Sequence, residues 1–391
     1  MSGRSTPSRA VDVAVIGAGV IGLSIAWRLA RRGLSVAAFD RAGAGEGTSG
    51  AATGMLAAAA ELEPGGADLL ALALASQRAW PDFRNAVEAD AGLSIDYRDH
   101  GTLVVALARD EVERLRFRYD LQQRFGLATR WLGGAEARSL EPGLRPSVVA
   151  GISCPGDHQV DPACVMAALR RAFEARGGQL FVHCAVTALD MSAGRVSGVV
   201  TPGGLCRATT VILAAGAWTA SSGLLPPAID VPVRPLKGQA LALRPAMPAL
   251  THVVWTEQIH LAPKGDGRLI VGATMEECGF DDAVTAGGVY ALLEGARRVL
   301  PAMEDMPIDK IWSGFRPTSS DDAPILDADA VGGLVIATGH HRNGFLLAPI
   351  TAHAIEDLVT TGTMPRVATP FGLARFGGVK EGEHRVMETT P

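Results

Sequence analysis

The stretch VDVAVIGAGVIGLSIAWRLARRGLSVAAFD, residues 11–40, decides the fold of this chain. Residues 11–16 form a short run that is apolar except for Asp12, which predicts a buried parallel strand. Three glycines in GxGxxG spacing follow this run: Gly17, Gly19 and Gly22. An apolar helical pattern comes next, and a second apolar run ends on Asp40. Strand, glycine turn, helix, strand and acid in this order predict a dinucleotide-binding unit.

Each part of this unit has a physical role. The glycines allow a tight turn, a close approach of the backbone to a pyrophosphate, and close packing of helix on strand. The helix N-terminus offers free N–H groups and the positive end of the helix dipole to phosphates. Asp40 is placed to accept the ribose hydroxyls, and its charge disfavours the 2′-phosphate of NADP.

The next stretch, GAGEGTSGAATGMLAAAAELE (residues 43–63), bears on which dinucleotide is bound. It is rich in glycine and carries three hydroxyl side chains: Thr48, Ser49 and Thr53. Small residues let the backbone approach a large flat ligand, and the hydroxyls can contact a phosphate. The same letters also fit a flexible loop followed by an alanine-rich helix, and the pattern alone leaves both interpretations open.

Length, charge and cysteine usage limit the classes of function. A chain of 391 residues predicts two domains or two interleaved lobes. The formal net charge of -5 argues against partners such as nucleic acid or an anionic membrane. No apolar run is long enough to span a bilayer. The five cysteines are scattered, without CxxC spacing, which favours a reducing compartment. We therefore expect a cytoplasmic protein.

The rest of the chain predicts a second, β-rich lobe. VRPLKGQALALRP, IHLAPKGDGRLIVGATM and KIWSGFRP are typical of a mainly antiparallel sheet with polar turns, such as KGDG at 264–267. ATTVILAAGAW and GGLVIATGHHRNGFLLAP return to the strand, glycine and helix pattern, and a further strand is predicted at 185–189.

These patterns predict an α/β plus α+β fold. A Rossmann-like dinucleotide-binding domain would be assembled from discontinuous segments and interleaved with a mainly antiparallel, β-rich domain. The predicted bounds are 11–60, 151–222 and 313–365 for the first domain, 61–150 and 223–312 for the second, and 1–10 and 366–391 for the tails.

Between residues 11 and 360 the chain carries, in this order, VIGAGVIG, GEGTSGAATGML, ILAAGAW, VRPLKGQAL, GRLIVGATM, GFRP and GHHRNGFLLAP. Together these motifs resemble the D-amino-acid oxidase superfamily of flavoproteins, and most closely the bacterial glycine oxidases linked to thiamine biosynthesis. The resemblance implies non-covalent FAD, a small amino-acid substrate, dioxygen as acceptor and a homo-oligomer. The related sarcosine oxidases attach flavin through a C-terminal cysteine, and no cysteine follows Cys278 here.

The resemblance also assigns roles to single residues. It implies that Arg316 and Arg342 bind the substrate carboxylate, and that Met55 and Met275 line the pocket, although core packing explains the methionines equally well. His260 stands where the family has a tyrosine that holds the substrate. It is interpreted either as a substrate contact that titrates near neutrality or as a hydrogen-bonded strand histidine.

The cofactor-contacting residues come from the glycine motif and from the resemblance together. They are Gly17, Gly19, Val20, Ile21, Gly22, Asp40, Arg41, Thr48, Ser49, Thr53, Gly54, Met55, Val186, Gly216, His341, Arg342, Asn343, Gly344, Phe345 and Leu346. His340 and His341 have no carboxylate or cysteine at ligand spacing, so no metal is expected.

The implied reaction is the oxidative deamination of small amino acids: glycine first, then sarcosine and D-alanine. Hydride transfer to flavin gives an imine, which hydrolyses to a 2-oxo acid (glyoxylate from glycine) and ammonia or an amine, and dioxygen then yields hydrogen peroxide. Arginine suits the carboxylate because its planar fork makes two parallel bonds, and no catalytic acid or base is required. The alternatives are a D-amino-acid or N-methyl-amino-acid dehydrogenase of the same fold, and a flavin-binding protein without turnover.

Overall fold

The computed structural model describes residues 10–227, 229–328 and 330–377. The helices are α1 Val20–Arg31, α2 Thr48–Ala51, α3 Ala67–Ala91, α4 Arg109–Arg124, α5 Gly134–Leu140, α6 Pro162–Ala175, α7 Ala286–Val299 and α8 Gly344–Thr361. The strands are β1 Ala10–Ile16, β2 Val36–Phe39, β3 Met55–Leu56, β4 Thr102–Ala106, β5 Arg130–Gly133, β6 Ala150–Cys154, β7 His158–Gln159, β8 Gln179–Phe181, β9 Ala188–Ser192, β10 Arg195–Thr201, β11 Gly204–Leu213, β12 Val233–Leu243, β13 Val253–Trp255, β14 His260–Pro263, β15 Leu269–Gly272, β16 Ile308–Ser319, β17 Ile325–Asp327 and β18 Leu334–Thr338.

The first sheet is Rossmann-like and is built from separated parts of the chain. Its strands β18, β11, β1, β2 and β8 are parallel neighbours in that order. β17, β10 and β9 add antiparallel strands. One face packs its apolar residues against α1, α3, α6 and α8. The strands are apolar because both of their faces are buried, which is the pattern that the sequence predicted for residues 11–16.

The second sheet has the order β16-β12-β15-β14-β13-β4-β6-β5, and its pairs are antiparallel except for β13 with β4. The predicted mainly antiparallel lobe is therefore confirmed. β14 and β12 both pair with β15, opposite each other at His260, Gly272 and Ala240. β16 pairs with β12 at Arg316 and Leu236. This register places two predicted substrate residues, His260 on β14 and Arg316 on β16, in one sheet.

The bounds of the two domains stay a prediction. β6 and β16 both pair in the second sheet, whereas α3 packs in the helical layer of the first. The described part of the predicted C-terminal tail packs on the first sheet, where Phe371 is buried and Arg375 pairs with Asp321. The remainder of that tail and residues 1–9 lie outside the described residues.

One local prediction needs correction, and one interpretation left open by the sequence is excluded. The strand expected at 185–189 begins three residues later, as β9, and the preceding residues 183 and 184 donate their backbone N–H groups to Ala42 and Asp40. The alanine run at 57–60 is a buried turn and not a helix. The Asp157 carboxylate accepts the backbone N–H groups of Ala59 and Ala60 and so holds this turn. No helix in the described ranges combines the length and apolar character that crossing a bilayer requires.

Candidate active site

A cavity of about 710 Å³ is lined by residues of both sheets. The predicted substrate residues Met55, His260, Met275, Arg316 and Arg342 all contribute to its wall. So do most predicted cofactor residues: Gly17, Gly19, Val20, Ile21, Asp40, Arg41, Thr48, Ser49, Thr53, Gly54, Val186, Gly216, His341, Gly344 and Phe345. Three predicted cofactor residues do not line it: Gly22, Asn343 and Leu346. Residues far apart in sequence thus meet around one space.

The glycine turn forms one part of this wall. A Cβ added at Gly17 would lie 2.4 Å from the carbonyl oxygen of Ala214, so the turn needs glycine there. At Gly22 a Cβ would lie 1.9 Å from the carbonyl oxygen of Gly17, so α1 packs directly on the turn. The Asp40 carboxylate accepts the backbone N–H groups of Ala18 and Ala42, and burial raises its pKa.

The electrostatics of this part fit the diphosphate of FAD. The first residues of two long helices, Val20 of α1 and Gly344 of α8, line the cavity, so two positive helix ends face it. The Arg41 guanidinium lies 4.4 Å from the ring centre of Trp218. Arg41 makes no ion pair with a carboxylate in the part of the chain that the structure describes. Arg41 and the two helix N-termini suit a phosphate-bearing ligand, and the acids Asp40 and Glu46 line the same part of the wall.

Arg316 lies in the second part of the wall as a buried cation. Its Nη1 donates to the carbonyl oxygens of Lys237, at 3.3 Å, and Thr274, at 3.1 Å. Burial, with Arg342 as the second cause, lowers the pKa of Arg316 to about 10. A Cβ at Gly238 would lie 2.6 Å from both terminal nitrogens, so this glycine makes room for the guanidinium. No ion pair to a carboxylate balances Arg316 within the described ranges, which favours an anionic ligand.

Arg342 differs from Arg316 because its charge is already balanced. Its Nε lies 2.9 Å from Oε2 of Glu61, and its Nη2 lies 4.0 Å from Oε1 of Glu63. Glu61 is nearly buried and lines the cavity. Its Oε2 accepts no hydrogen bond from a described residue, so its contact with Arg342 is an ion pair without a hydrogen bond. Sequence reasoning missed Glu61, although an acid directly after the alanine run was the available signal.

Replacing Glu61 by glutamine is expected to tighten the binding of acetate to the holoenzyme about fivefold. Removing one negative charge next to the anion is worth about 1 kcal/mol when water screens the interaction almost as strongly as in bulk solution. Acetate titrations followed by the flavin spectrum give the dissociation constant. Glu63→Gln is the matched control, because Glu63 is exposed and lies farther from Arg342. Weaker binding in Glu61→Gln would contradict this charge balance.

His260 lies on β14 and lines the same cavity as Arg316. Its Nε2 lies 3.0 Å from the Thr53 hydroxyl oxygen. Burial, followed by the charges of Arg316, Lys264 and Arg342, lowers the pKa of His260 to about 3. The expectation that this residue titrates near neutrality is therefore wrong, because a buried imidazole among cations stays neutral. His341, also buried near Arg342 and Arg316, has its pKa lowered to about 3 in the same way.

This neutrality predicts the pH dependence of anion binding. Acetate affinity is expected to stay constant between pH about 6 and 8, because the cavity histidines carry no charge there. Arg316 is protonated below its pKa of about 10, so affinity is present below that pH and is lost as pH rises through it. Acetate titrations of the holoenzyme at each pH check this, with FAD content as control. A step near the ordinary histidine pKa would contradict it.

Lys264 is a further residue that sequence reasoning missed. The KGDG stretch is a turn, but the lysine itself is 4% exposed. Its Nζ donates to the carbonyl oxygens of Thr53 and Val160 and to Oε1 of Gln159, at 2.7, 2.8 and 3.1 Å. Burial lowers the pKa of Lys264 to about 8. The lysine ties the loop that carries Thr53 to the second sheet. A turn pattern gives no signal of this role.

Known proteins resemble this chain over most of its length. The DAO family model, described as FAD dependent oxidoreductase, matches residues 12–358. A glycine oxidase of Geobacillus kaustophilus (strain HTA426) is 35% identical over 94% of this chain and 97% of its own length. The crystal structure of glycine oxidase from Geobacillus kaustophilus has a TM-score of 0.89 at 33% identity, covering 94% of this chain and 99% of that one.

A second relative is longer than this chain. The bifunctional protein ThiO/ThiG of Trichormus variabilis is 36% identical over 93% of this chain, which spans 55% of that relative. The match therefore covers about half of the bifunctional protein. The family model and the Geobacillus relative both extend over most of the chain, and their fold agrees with the two sheets described above. The chain belongs to the DAO family of FAD-dependent oxidoreductases.

Proposed function

We propose that the protein is an oxidase of small amino acids, with glycine as its first substrate and FAD bound non-covalently. The observation that carries this proposal is Arg316, a buried guanidinium that forms no ion pair with a carboxylate among the described residues and lies in the same cavity as the glycine turn. A small carboxylate would complete its charge. The similarity to proteins named glycine oxidase supports the choice of substrate.

The residues of the chain divide the work between binding and orientation. Arg316 holds the carboxylate of the amino acid, and its contacts with two carbonyl oxygens fix the direction of the fork. Gly17, Val20 and Asp40 would hold the nucleotide part of FAD, and Gly344 and Phe345 the part nearer the substrate. When bound, FAD supplies the hydride acceptor for the Cα–H bond of the substrate.

The overall reaction balances without a catalytic side chain. Glycine, dioxygen and water give glyoxylate, ammonia and hydrogen peroxide. The amine must be neutral when the hydride leaves, and the positive charge of Arg316, which no ion pair balances within the described residues, favours loss of its proton. Histidine is shorter than the tyrosine of the resembled family, so the pocket should also admit sarcosine and D-alanine. We place the protein in the cytoplasm because its cysteines are free thiols.

A panel of small substrates with peroxide detection tests the proposal. Purified holoenzyme is mixed in air with glycine, sarcosine, N-ethylglycine, D-alanine and L-alanine, and peroxide and the keto acid are measured together. We expect equal amounts of peroxide and keto acid, with glycine among the best substrates. Keto acid without peroxide, formed only with an added electron acceptor, would support the dehydrogenase instead. No product from any member would contradict both.

A further inference from the structure

Two residues from different elements, Thr53 and Gly272, meet at the ring of His260. Thr53 comes from the loop before β3, and its hydroxyl oxygen lies 3.0 Å from His260 Nε2. Gly272 lies opposite His260 in the pairing of β14 with β15. A Cβ at Gly272 would lie 2.6 Å from His260 Nε2 and 3.0 Å from the Thr53 methyl carbon. The glycine therefore leaves just enough room for the imidazole and the threonine to touch.

The hydrogens of this contact can be assigned by counting donors and acceptors. A neutral imidazole carries one hydrogen, on either Nε2 or Nδ1. If Nε2 donated to Thr53, the hydroxyl hydrogen would need another acceptor, and within the described ranges His260 is the one partner of that hydroxyl. If the hydroxyl donates to Nε2, its hydrogen is satisfied. The imidazole hydrogen then lies on Nδ1, which has no hydrogen-bond partner among the described residues.

The surroundings keep the ring neutral and the loop in place. Arg316, Lys264 and Arg342 all disfavour a second proton on His260, so the single hydrogen must be directed by its neighbours. Lys264 donates to the backbone carbonyl of Thr53 at 2.7 Å, which fixes the residue whose hydroxyl meets the ring. His260 lines the cavity together with Arg316.

We propose that Thr53 is a positioning residue for substrate binding: its hydroxyl donates to Nε2 of His260 and holds the ring in the tautomer whose Nδ1–H donates to the substrate carboxylate beside Arg316. This inference rests on the proposed function in one respect, namely that the anion in the cavity is the carboxylate of a small amino acid. Thr53 thereby sets carboxylate affinity through His260, while Arg316 provides the charge.

A double-mutant cycle on the holoenzyme tests the proposal, with acetate as the probe and the flavin spectrum as the readout. Thr53→Val keeps the shape but removes the hydroxyl, and is expected to weaken acetate binding about tenfold, the usual scale for a hydrogen bond to a charged group. Thr53→Ser restores the hydroxyl and should recover most of this loss. In a His260→Phe background, Thr53→Val should cause less than about a twofold further change.

Two results would overturn the proposal. One is wild-type acetate affinity in Thr53→Val, and the other is an undiminished effect of Thr53→Val when His260 is already phenylalanine. If Thr53→Val loses FAD or does not fold, the ¹⁵N spectrum of histidine-labelled wild-type holoenzyme decides, because the signal missing in His260→Phe belongs to His260. An Nδ1–H tautomer supports the proposal, and an Nε2–H tautomer contradicts it.

The outcome is independent of turnover, because acetate is not oxidised. If no small amino acid reacts but the acetate cycle behaves as expected, the proposed function fails and the role of Thr53 stands. If glycine is oxidised and Thr53→Val binds acetate normally, the role of Thr53 fails alone.

Discussion

Replacing Arg316 by lysine is expected to lower kcat/KM for glycine about a thousandfold while FAD stays bound. The lysine keeps a positive charge but loses the planar fork that binds a carboxylate with two parallel hydrogen bonds. Loss of two charge-assisted bonds, at about 2 kcal/mol each, accounts for this magnitude. The guanidinium contacts with the Lys237 and Thr274 carbonyl oxygens would also be lost, so the ammonium would not be held in one direction.

The control for this experiment is Arg234→Lys in the neighbouring strand β12. Arg234 is half exposed and pairs with Glu277 at the surface, so its replacement should change kcat/KM by less than about twofold. FAD content and acetate affinity are measured for both variants. We expect Arg316→Lys to weaken acetate binding as well. Normal glycine turnover in Arg316→Lys would remove Arg316 from the substrate site.

Replacing Gly22 by alanine is expected to yield protein that holds less than about a tenth of its normal FAD. The new methyl group would lie 1.9 Å from the carbonyl oxygen of Gly17. Because both the methyl group and this oxygen are attached to backbone, the clash can be relieved only if α1 moves away from the glycine turn. Overpacking of this kind costs about 3 kcal/mol or more, and here it displaces the helix end that faces the cavity. FAD content after gel filtration and Tm by calorimetry measure the two effects.

Gly287→Ala is the matched control for the glycine substitution. Gly287 also lies near the start of a helix, α7, but a Cβ there meets no atom within 4 Å. This variant should bind FAD normally and have an unchanged or slightly raised Tm, because alanine favours the helix. Full FAD occupancy in Gly22→Ala would show that the turn does not need the close packing described above.

The parts of the fold that local physics determines could be predicted from the sequence. The glycine turn, α1 and β2 follow from a continuous stretch in which each residue type suits one position. Helix α6 was equally accessible, because Asp161 caps it through the backbone N–H groups of Ala163 and Cys164 and Pro162 follows. In these cases the interacting residues lie within a few positions of each other in the sequence, so a local sequence pattern is enough to predict the contact.

The parts of the site that depend on long-range contacts could not be predicted. Glu61 meets Arg342, and Thr53 meets His260, only after both sheets have formed. Burial keeps the His260 imidazole neutral, and the Lys264 side chain is buried although it lies in a turn. Neither the alternation of a strand nor a turn motif indicates how deeply a polar side chain will be buried. The resemblance to a flavoprotein family singled out Arg316, which lines the cavity, because family motifs carry long-range information that one sequence pattern lacks.

The central claim is that a small amino acid bound at Arg316 gives its hydride to FAD, and anaerobic mixing tests this most directly. Holoenzyme is mixed with glycine in the absence of oxygen while the visible absorbance of the flavin is recorded, with Arg316→Lys as the comparison. We predict that glycine bleaches the oxidised flavin in the wild type within the time of one turnover, and that admitting air restores the spectrum with one peroxide per flavin. A flavin that stays oxidised with glycine, sarcosine and D-alanine alike would contradict the account.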